Sequence, residues 1–378
     1  MTQGPKVRVA LVGGGTIAPL HAEYLMSSQK CELVAIVDPY PPGSVLASKL
    51  SLPHFESVAA LLTSLSDAPE AYVICVPSTL HVSVATEVIN RAQPKAVIVE
   101  KPFATDSKSG AELIVLAKER GCKILVGHHR RFHPSLSTAR SAIESGKIGK
   151  ITAISGMWTA KKNDGYFAEA SWRGSRSAGG GPIWTNFVHD IDVLHFLTGA
   201  KMTRIWAIDT PARREHKNVA IDDTVEEGAA IMAQFSNGVV GTFLVSDNTA
   251  SPYGWESATG DNPSYSKAEV PLDVYRILGT KGTISAPDDT LWTYNPKIEN
   301  CDREIGWHTP MERIELPVTE GIPFKQQAEH LARVVRGLEN PLCSAEDGLA
   351  AVAVCEAIIA ALKAKDGLPI SVLDVSRS

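Results

Sequence analysis

Five short apolar, largely β-branched runs punctuate the first third of the chain: VRVALVG (7–13), CELVAIVD (31–38), AYVICVP (71–77), AVIVEKP (96–102) and KILVGHH (123–129). Between them lie stretches with helical spacing, such as HVSVATEVINRA and SGAELIVLAKERG, the latter closed by Gly121 where a helix end favours glycine. Strands that are apolar on both faces and alternate with helices need a parallel sheet covered on two sides. The repetition predicts a doubly wound α/β domain over residues 1–130.

Beyond residue 130 the pattern changes. ITAISGMWTA (151–160), MTRIWAIDT (202–210), EEGAAIMAQF (226–235), VVGTFLVSDN (239–248) and VYRILGTKGTISAP (274–287) read as strands, and SNG at 236–238 signals a hairpin turn. Hairpin-linked strands imply a large, mostly antiparallel open sheet, with helices at PIWTNFVHDIDVLHFL (182–197) and near the C-terminus. At 378 residues the chain is long for one core. A second, α+β domain is therefore expected over 131–378, its last helices packing back on the first.

Gly13, Gly15 and Ala18 form G-x-G-x-x-A between the first strand and a helix. The first glycine permits the tight turn, the second lets backbone approach a pyrophosphate, and the small third residue lets helix pack on strand. Thr16 and Ile17 open that helix, whose unpaired N–H groups and dipole favour phosphate. Asp38 ends the second strand about 20 residues beyond the motif. A carboxylate there accepts hydrogen bonds from the adenosine ribose hydroxyls and repels a 2′-phosphate. No lysine or arginine follows in PYPPGSVLAS (39–48), so the expected cofactor is NAD rather than NADP. The first domain reads as a Rossmann dinucleotide-binding unit.

Glu100, Lys101 and Pro102 close the fourth run at its C-terminal end, outside which ligands of open α/β sheets sit. Pro102 biases Lys101 toward an extended backbone, and the lysine is a candidate to hydrogen-bond a substrate oxygen. In WRGSRSAGGGPIWTNFVHDIDVLHFL (172–197), Thr185, His189 and Asp192 fall at i, i+4 and i+7, one helical face, with Asn186 beside them. Histidine suits proton transfer near neutral pH. Two aromatic-rich stretches, 161–174 and 251–276, read as pocket-shaping loops in which Tyr166, Tyr253 and Trp255 offer faces for stacking on a ligand.

A net charge of -5 with no basic run argues against nucleic acid or an anionic membrane as partner. The six cysteines, at 31, 75, 122, 301, 343 and 355, form no C-x-x-C pair, and several sit in apolar runs, the pattern of reduced buried thiols. MTQGPKVRV carries no apolar leader, and the most apolar late segment, LAAVAVCEAIIAALKA (349–364), is short and holds Glu356. A cytoplasmic protein without membrane attachment or metal is expected. Apolar alternation in AAIMAQF and GTFLV gives the second sheet a face to spare, so a homodimer or homotetramer is expected.

Together these features resemble the Gfo/Idh/MocA family, which takes in glucose-fructose oxidoreductase, inositol dehydrogenase and a rhizopine catabolism oxidoreductase. GGGTIA (13–18), VPSTLH (76–81), VEKPFA (99–104), VGHHRRFHP (126–134), WR (172–173), GGGPIWTNFVHDID (179–192) and GTKGTI (279–284) arrive in the family's order through nearly the whole chain. The resemblance implies a pyridine-nucleotide oxidoreductase acting on a hydroxyl or carbonyl carbon of a sugar, cyclitol, glycoside or related polyol. It implies that Lys101 contacts the reacting oxygen and that His189 gives or takes the proton. It also implies that Pro77, Ser78 and His81 lie along the nicotinamide side of the cofactor with Glu100, while Trp172 and Arg173 border the substrate.

Two positions depart from the family pattern. Many members carry an aspartate four residues before the helix histidine, where this chain has Thr185, followed by Asn186. Threonine is no base, so either Asn186 orients the substrate or proton transfer rests on Lys101, His189 and water. His129 stands where an asparagine is common and points to a polar or anionic substrate group. Two further readings stay open: an enzyme that retains NAD and oxidises a sugar transiently for elimination or epimerisation, and a non-catalytic dinucleotide-binding sensor.

Overall fold

The computed structural model describes residues 4–214, 219–294 and 305–374. They form two compact units, the first made by residues up to 132, by 321–353 and by Asp374, the second by 133–320 and 354–373. Residues 321–353, expected from sequence in the second domain with its last helices packing back on the first, cluster with the first unit.

The first unit holds a parallel six-stranded sheet of order β3-β2-β1-β4-β5-β6. Its strands are β1 (Val7–Val12), β2 (Cys31–Val37), β3 (His54–Phe55), β4 (Ala71–Ile74), β5 (Ala96–Val99) and β6 (Lys123–Val126). Every residue of β4 and β5 is buried, which is why those runs show no polar alternation. Helices α1 (Ala18–Ser27), α2 (Pro41–Leu50), α3 (Val58–Ser64), α4 (His81–Ala92) and α5 (Ser107–Glu119) connect the strands. The chain leaves β1 in one direction for β2 and β3 and in the other for β4, which opens a crevice at the carboxyl ends of β1 and β4. The late helix Pro323–Val335 closes one face, its Ala328, Leu331, Ala332 and Val335 sharing a core with Val9, Leu11, Ala22, Leu25 and Val73.

The second unit begins with α6 (Pro134–Glu144) and carries a nine-stranded sheet. Its main strands are β7 (Ile151–Thr159), β8 (Met202–Asp209), β9 (Gly228–Phe235), β10 (Val240–Ser246), β11 (Tyr275–Gly279) and β12 (Gly282–Ala286). All pairings are antiparallel except β7 with β10. The β9–β10 hairpin turns through Gly238 at φ +87, a conformation glycine adopts without strain. Three short strands were not expected: β13 (Thr290–Tyr294), β14 (Met311–Glu315) and β15 (Ile370–Ser371). One sheet face is lined with partly exposed apolar residues, Met232, Val240, Leu244, Leu278 and Trp292, at 38% to 48% exposure.

Among the described residues no helix is long and apolar enough to cross a membrane. Cys31, Cys75, Cys122, Cys343 and Cys355 are buried free thiols, and Cys301 lies outside the described residues.

Candidate active site

The glycines of the first turn answer to different constraints. A Cβ on Gly13, at φ +95, would lie 2.7 Å from Cys75 O, and one on Gly14 would lie 2.5 Å from the Gly43 backbone, so the fold itself demands both glycines. Gly15 differs, since the nearest protein atom to a Cβ there is Cys75 O at 3.9 Å. Packing does not exclude a side chain at Gly15, and a pyrophosphate fits against its bare backbone. Exposed Thr16 and half-buried Ile17 lead into α1, whose N-terminus has no side-chain cap.

Asp38 is locked beside this turn. Its Oδ2 accepts from Gly14 N at 2.6 Å and its Oδ1 from Tyr40 N at 2.9 Å, while Gly43 leaves it room, a Cβ there falling 2.2 Å from Asp38 Cβ. A carboxylate has about four lone-pair sites, so capacity is left for ribose hydroxyls. The donor and acceptor set fits NAD.

At the end of β5, Glu100 Oε1 sits 2.7 Å from His21 Nε2 and its Oε2 accepts from Lys101 N at 3.1 Å. Gly127 makes space for this carboxylate, a Cβ there falling 2.5 Å from Oε1. Burial opposes ionisation of Glu100, but the His21 hydrogen bond and the charges of His21, Lys101 and His129 outweigh it and hold the carboxyl down at about 2. Glu100 is therefore an ionised anchor for the Lys101 backbone. Lys101 itself is half-buried, and the half-buried His129 ring stacks on Phe324 at 4.4 Å.

His81 is 1% exposed, with Nδ1 2.7 Å from Pro102 O and Nε2 3.0 Å from Val76 O. Burial pulls its pKa below the ordinary imidazole value. The ring lies between two carbonyl acceptors, and a neutral imidazole donates its one N–H to one of them, so His81 holds the 76–81 loop beside the Glu-Lys-Pro turn. Exposed Pro77 and half-buried Ser78 lie on that loop.

In the second unit the chain after the glycine run makes a π-helical turn over Ile183–Phe187 before α7 (Val188–Thr198), with Val188 N bonding to Ile183 O. The wider turn breaks the even i, i+4, i+7 spacing assumed for Thr185, His189 and Asp192. His189 is 5% exposed and Asp192 is fully buried, while Tyr275 donates its hydroxyl proton to Asp190. Thr185 Oγ1 reaches Gly181 O at 2.7 Å and Asn186 Oδ1 at 2.8 Å, two acceptors for one proton. Glu226 lies against Gly181 and accepts from Ile183 N at 3.3 Å, and burial pushes its carboxyl up to about 7.

Sequence reasoning missed Lys162, which ends the strand extension beyond β7. Its side chain is 8% exposed, and Nζ donates to Asn186 Oδ1 at 2.7 Å and to Thr185 Oγ1 at 3.3 Å. Nothing local marks it, because its partner is 24 positions away.

The expected aromatic contacts divide. Trp255 is fully buried, its Nε1 donating to Asp261 at 2.9 Å and its ring stacked on Tyr275 and edge-on to His133, so it presents no face to a ligand, contrary to expectation. Tyr166 is half-buried with the Arg173 guanidinium 4.0 Å from its ring centre and Lys162 Nζ at 4.7 Å. Arg173 also bonds Tyr166 O and Glu169, and Trp172 stays 44% exposed. Among the described residues no group of three or more His, Cys, Asp or Glu is placed to hold a metal ion.

Residues 7–128 match the family described as an oxidoreductase family with an NAD-binding Rossmann fold, and residues 136–285 match the GFO/IDH/MocA C-terminal domain. Over 366 residues the chain is 24% identical to inositol 2-dehydrogenase of Rhizobium meliloti (strain 1021), covering 97% of this chain and 99% of that one. It is similar in structure to the WlbA dehydrogenase from Bordetella pertussis in complex with NADH and UDP-GlcNAcA, with TM-score 0.73 and 24% identity over 98% of this chain and 99% of that one. An oxidoreductase from Agrobacterium radiobacter in complex with NAD+, L-tartaric acid and magnesium gives TM-score 0.75 at 16% identity, over 97% and 99% of the two chains. With both of its domains matched in order along a Rossmann unit and an α+β unit, this chain belongs to the Gfo/Idh/MocA family of NAD-dependent oxidoreductases.

Proposed function

We propose that the enzyme transfers a hydride between NAD and a hydroxyl or carbonyl carbon of a sugar, cyclitol, glycoside or related polyol. The observation that carries the cofactor half is Gly15, whose missing side chain the fold does not need, beside an Asp38 already braced to receive ribose hydroxyls. The substrate half rests on the polar cluster around the π-helical turn. Polyhydroxylated compounds in the names of the relatives, an inositol and a nucleotide sugar among them, support the class.

When bound, the nicotinamide supplies the hydride chemistry. Lys101 hydrogen-bonds the reacting oxygen and steadies charge that builds there, a contribution typically on the order of 10² in rate. His189 gives or takes the accompanying proton. Glu100, held ionised by His21, fixes the backbone from which Lys101 reaches. Asn186 orients substrate where a carboxylate is absent. The apolar sheet face of the second unit supports a homo-oligomer.

A screen of inositols, aldoses, glycosides and small hydroxy acids with NAD and with NADP, read by nicotinamide absorbance, tests the reading. Steady NADH formation with one class is the expected result. No reduction with any class, together with NAD that survives purification, would move the protein to transient oxidation with a retained cofactor.

A further inference from the structure

Lys162 is held from several sides. Ala160 N and Lys162 N donate to Ser246 O and Asp247 O at 2.9 and 2.8 Å, which extends the sheet ladder past β7. Asp247 Oδ2 stands 3.7 Å from Nζ as a buried counter-charge, itself braced by Arg214 at 3.0 Å. The rings of Tyr166 and Trp158 lie 4.7 and 5.5 Å from the ammonium. Such an ammonium keeps one position.

That position dictates how Asn186 presents itself. An ammonium has three donors and no acceptor, so the Asn186 atom 2.7 Å from Nζ is the amide oxygen. Flipping the amide would set NH₂ against NH₃⁺. The NH₂ group therefore points the other way, where Tyr265 Oη accepts at 3.4 Å, the one acceptor that Nδ2 has among the described residues. A primary amide carries a second N–H. The ammonium bonded to the oxygen also polarises the amide and strengthens its N–H groups as donors.

We infer that Lys162 is a positioning residue that fixes Asn186 as a hydrogen-bond donor, and that the site so made recognises a carboxylate on the substrate. The inference rests on the oxidoreductase reading above and narrows its substrate class to sugar acids and related hydroxy acids. A sugar hydroxyl also accepts a hydrogen bond, but a carboxylate gains in addition from the ammonium behind the amide.

Two probe pairs test this in the NADH-loaded protein by calorimetry: D-glucuronate against D-glucose, and D-gluconate against D-glucitol. The acid of each pair should bind at least about tenfold more tightly than its neutral partner. Lys162→Met should bring the ratio to about threefold or less by weakening the acid alone, while Lys162→Arg, which keeps a donor cation, should retain most of it. Asn186→Asp should remove the preference or reverse it. NADH titration and thermal melting of each variant establish that the fold and cofactor site persist. If Lys162→Met does not fold, Asn186→Asp decides alone. Equal binding, or no binding, of both members of both pairs in the wild type overturns the inference, as does an unchanged ratio in the decisive variant. Turnover of neutral polyols with a ratio near one would sink this inference and leave the oxidoreductase reading intact. A preserved preference without turnover of any substrate would do the reverse.

Discussion

The carboxylate of Asp38 accepts a hydrogen bond from the Gly14 backbone at 2.6 Å, which makes the acid at the end of β2 and the glycine turn after β1 a single bonded unit. The same oxygens face the question of NAD against NADP. NAD should bind at least about tenfold more tightly, a difference of roughly 1.4 kcal/mol. Asp38→Ser should narrow that ratio and also weaken NAD, because the turn loses its brace. Fluorescence titration with both cofactors checks it, and equal wild-type affinities would refute it.

Lys101→Ala and His189→Ala should each lower turnover by about a hundredfold or more while NAD affinity stays nearly constant, since neither holds the pyrophosphate. Thr185→Ala should be mild, because a hydroxyl shared between Gly181 O and Asn186 tunes a hydrogen bond and moves no proton. Asn186→Ala should fall between. Near wild-type turnover in His189→Ala, measured with the true substrate, would make the helix histidine structural.

Glu100 and Glu226 carry opposite pH signatures. Glu100 is held at about 2 against an ordinary 4.5, so its contribution to stability is complete above 4.5 and is lost as pH falls from there toward 2. Glu226 is pushed up to about 7, so the unfolded chain releases that proton first and stability falls as pH rises from 4.5 to 7, then levels. Glu226→Gln should therefore raise the melting temperature near pH 8 and change little near pH 4, with a gain of up to about 3 kcal/mol. Glu100→Gln should lower it near pH 8, with a loss of about 3 to 5 kcal/mol in stability, as when one partner of a buried pair is removed. Melting curves of both variants at the two pH values decide, and an unchanged Glu226→Gln curve near pH 8 would count against the buried carboxylate.

Met232 and Leu244 lie on one face of the paired strands β9 and β10, at 44% and 41% exposure. If a second copy of the chain covers that face, the wild type is a dimer or tetramer by light scattering at micromolar concentration, and Met232→Lys with Leu244→Lys shifts it toward monomer without lowering cofactor affinity. A monomeric wild type would end the proposal.

The parallel sheet was legible because strands buried on both faces leave unbroken apolar runs, as in AVIV of β5. β14 was not, since all five residues of MERIE are exposed and show no apolar alternation, the strand being placed by its pairing with β13. In the site, what backbone geometry dictates could be read: Gly13 needs its positive φ and Asp38 closes its strand. His21 and Lys162 escaped because their meaning lies in partners 79 and 24 residues away. Trp255 misled for a related reason. An aromatic in a polar loop looks like a ligand platform until Tyr275 and His133 are seen against it. The π-helical turn escaped because a spacing argument presumes regular α-helix.

The return of residues 321–353 to the first unit matters most while the chain is being made. The helix bearing Leu331 and Val335 leaves the ribosome only after the 188 residues from 133 to 320, on the order of ten to forty seconds at ~5–20 residues per second. Throughout that interval the nascent sheet shows Val9, Leu11 and Val73 without this cover, a hydrophobic surface suited to a holding chaperone. A truncated chain ending at residue 132 would keep the glycine turn and Asp38 yet should aggregate.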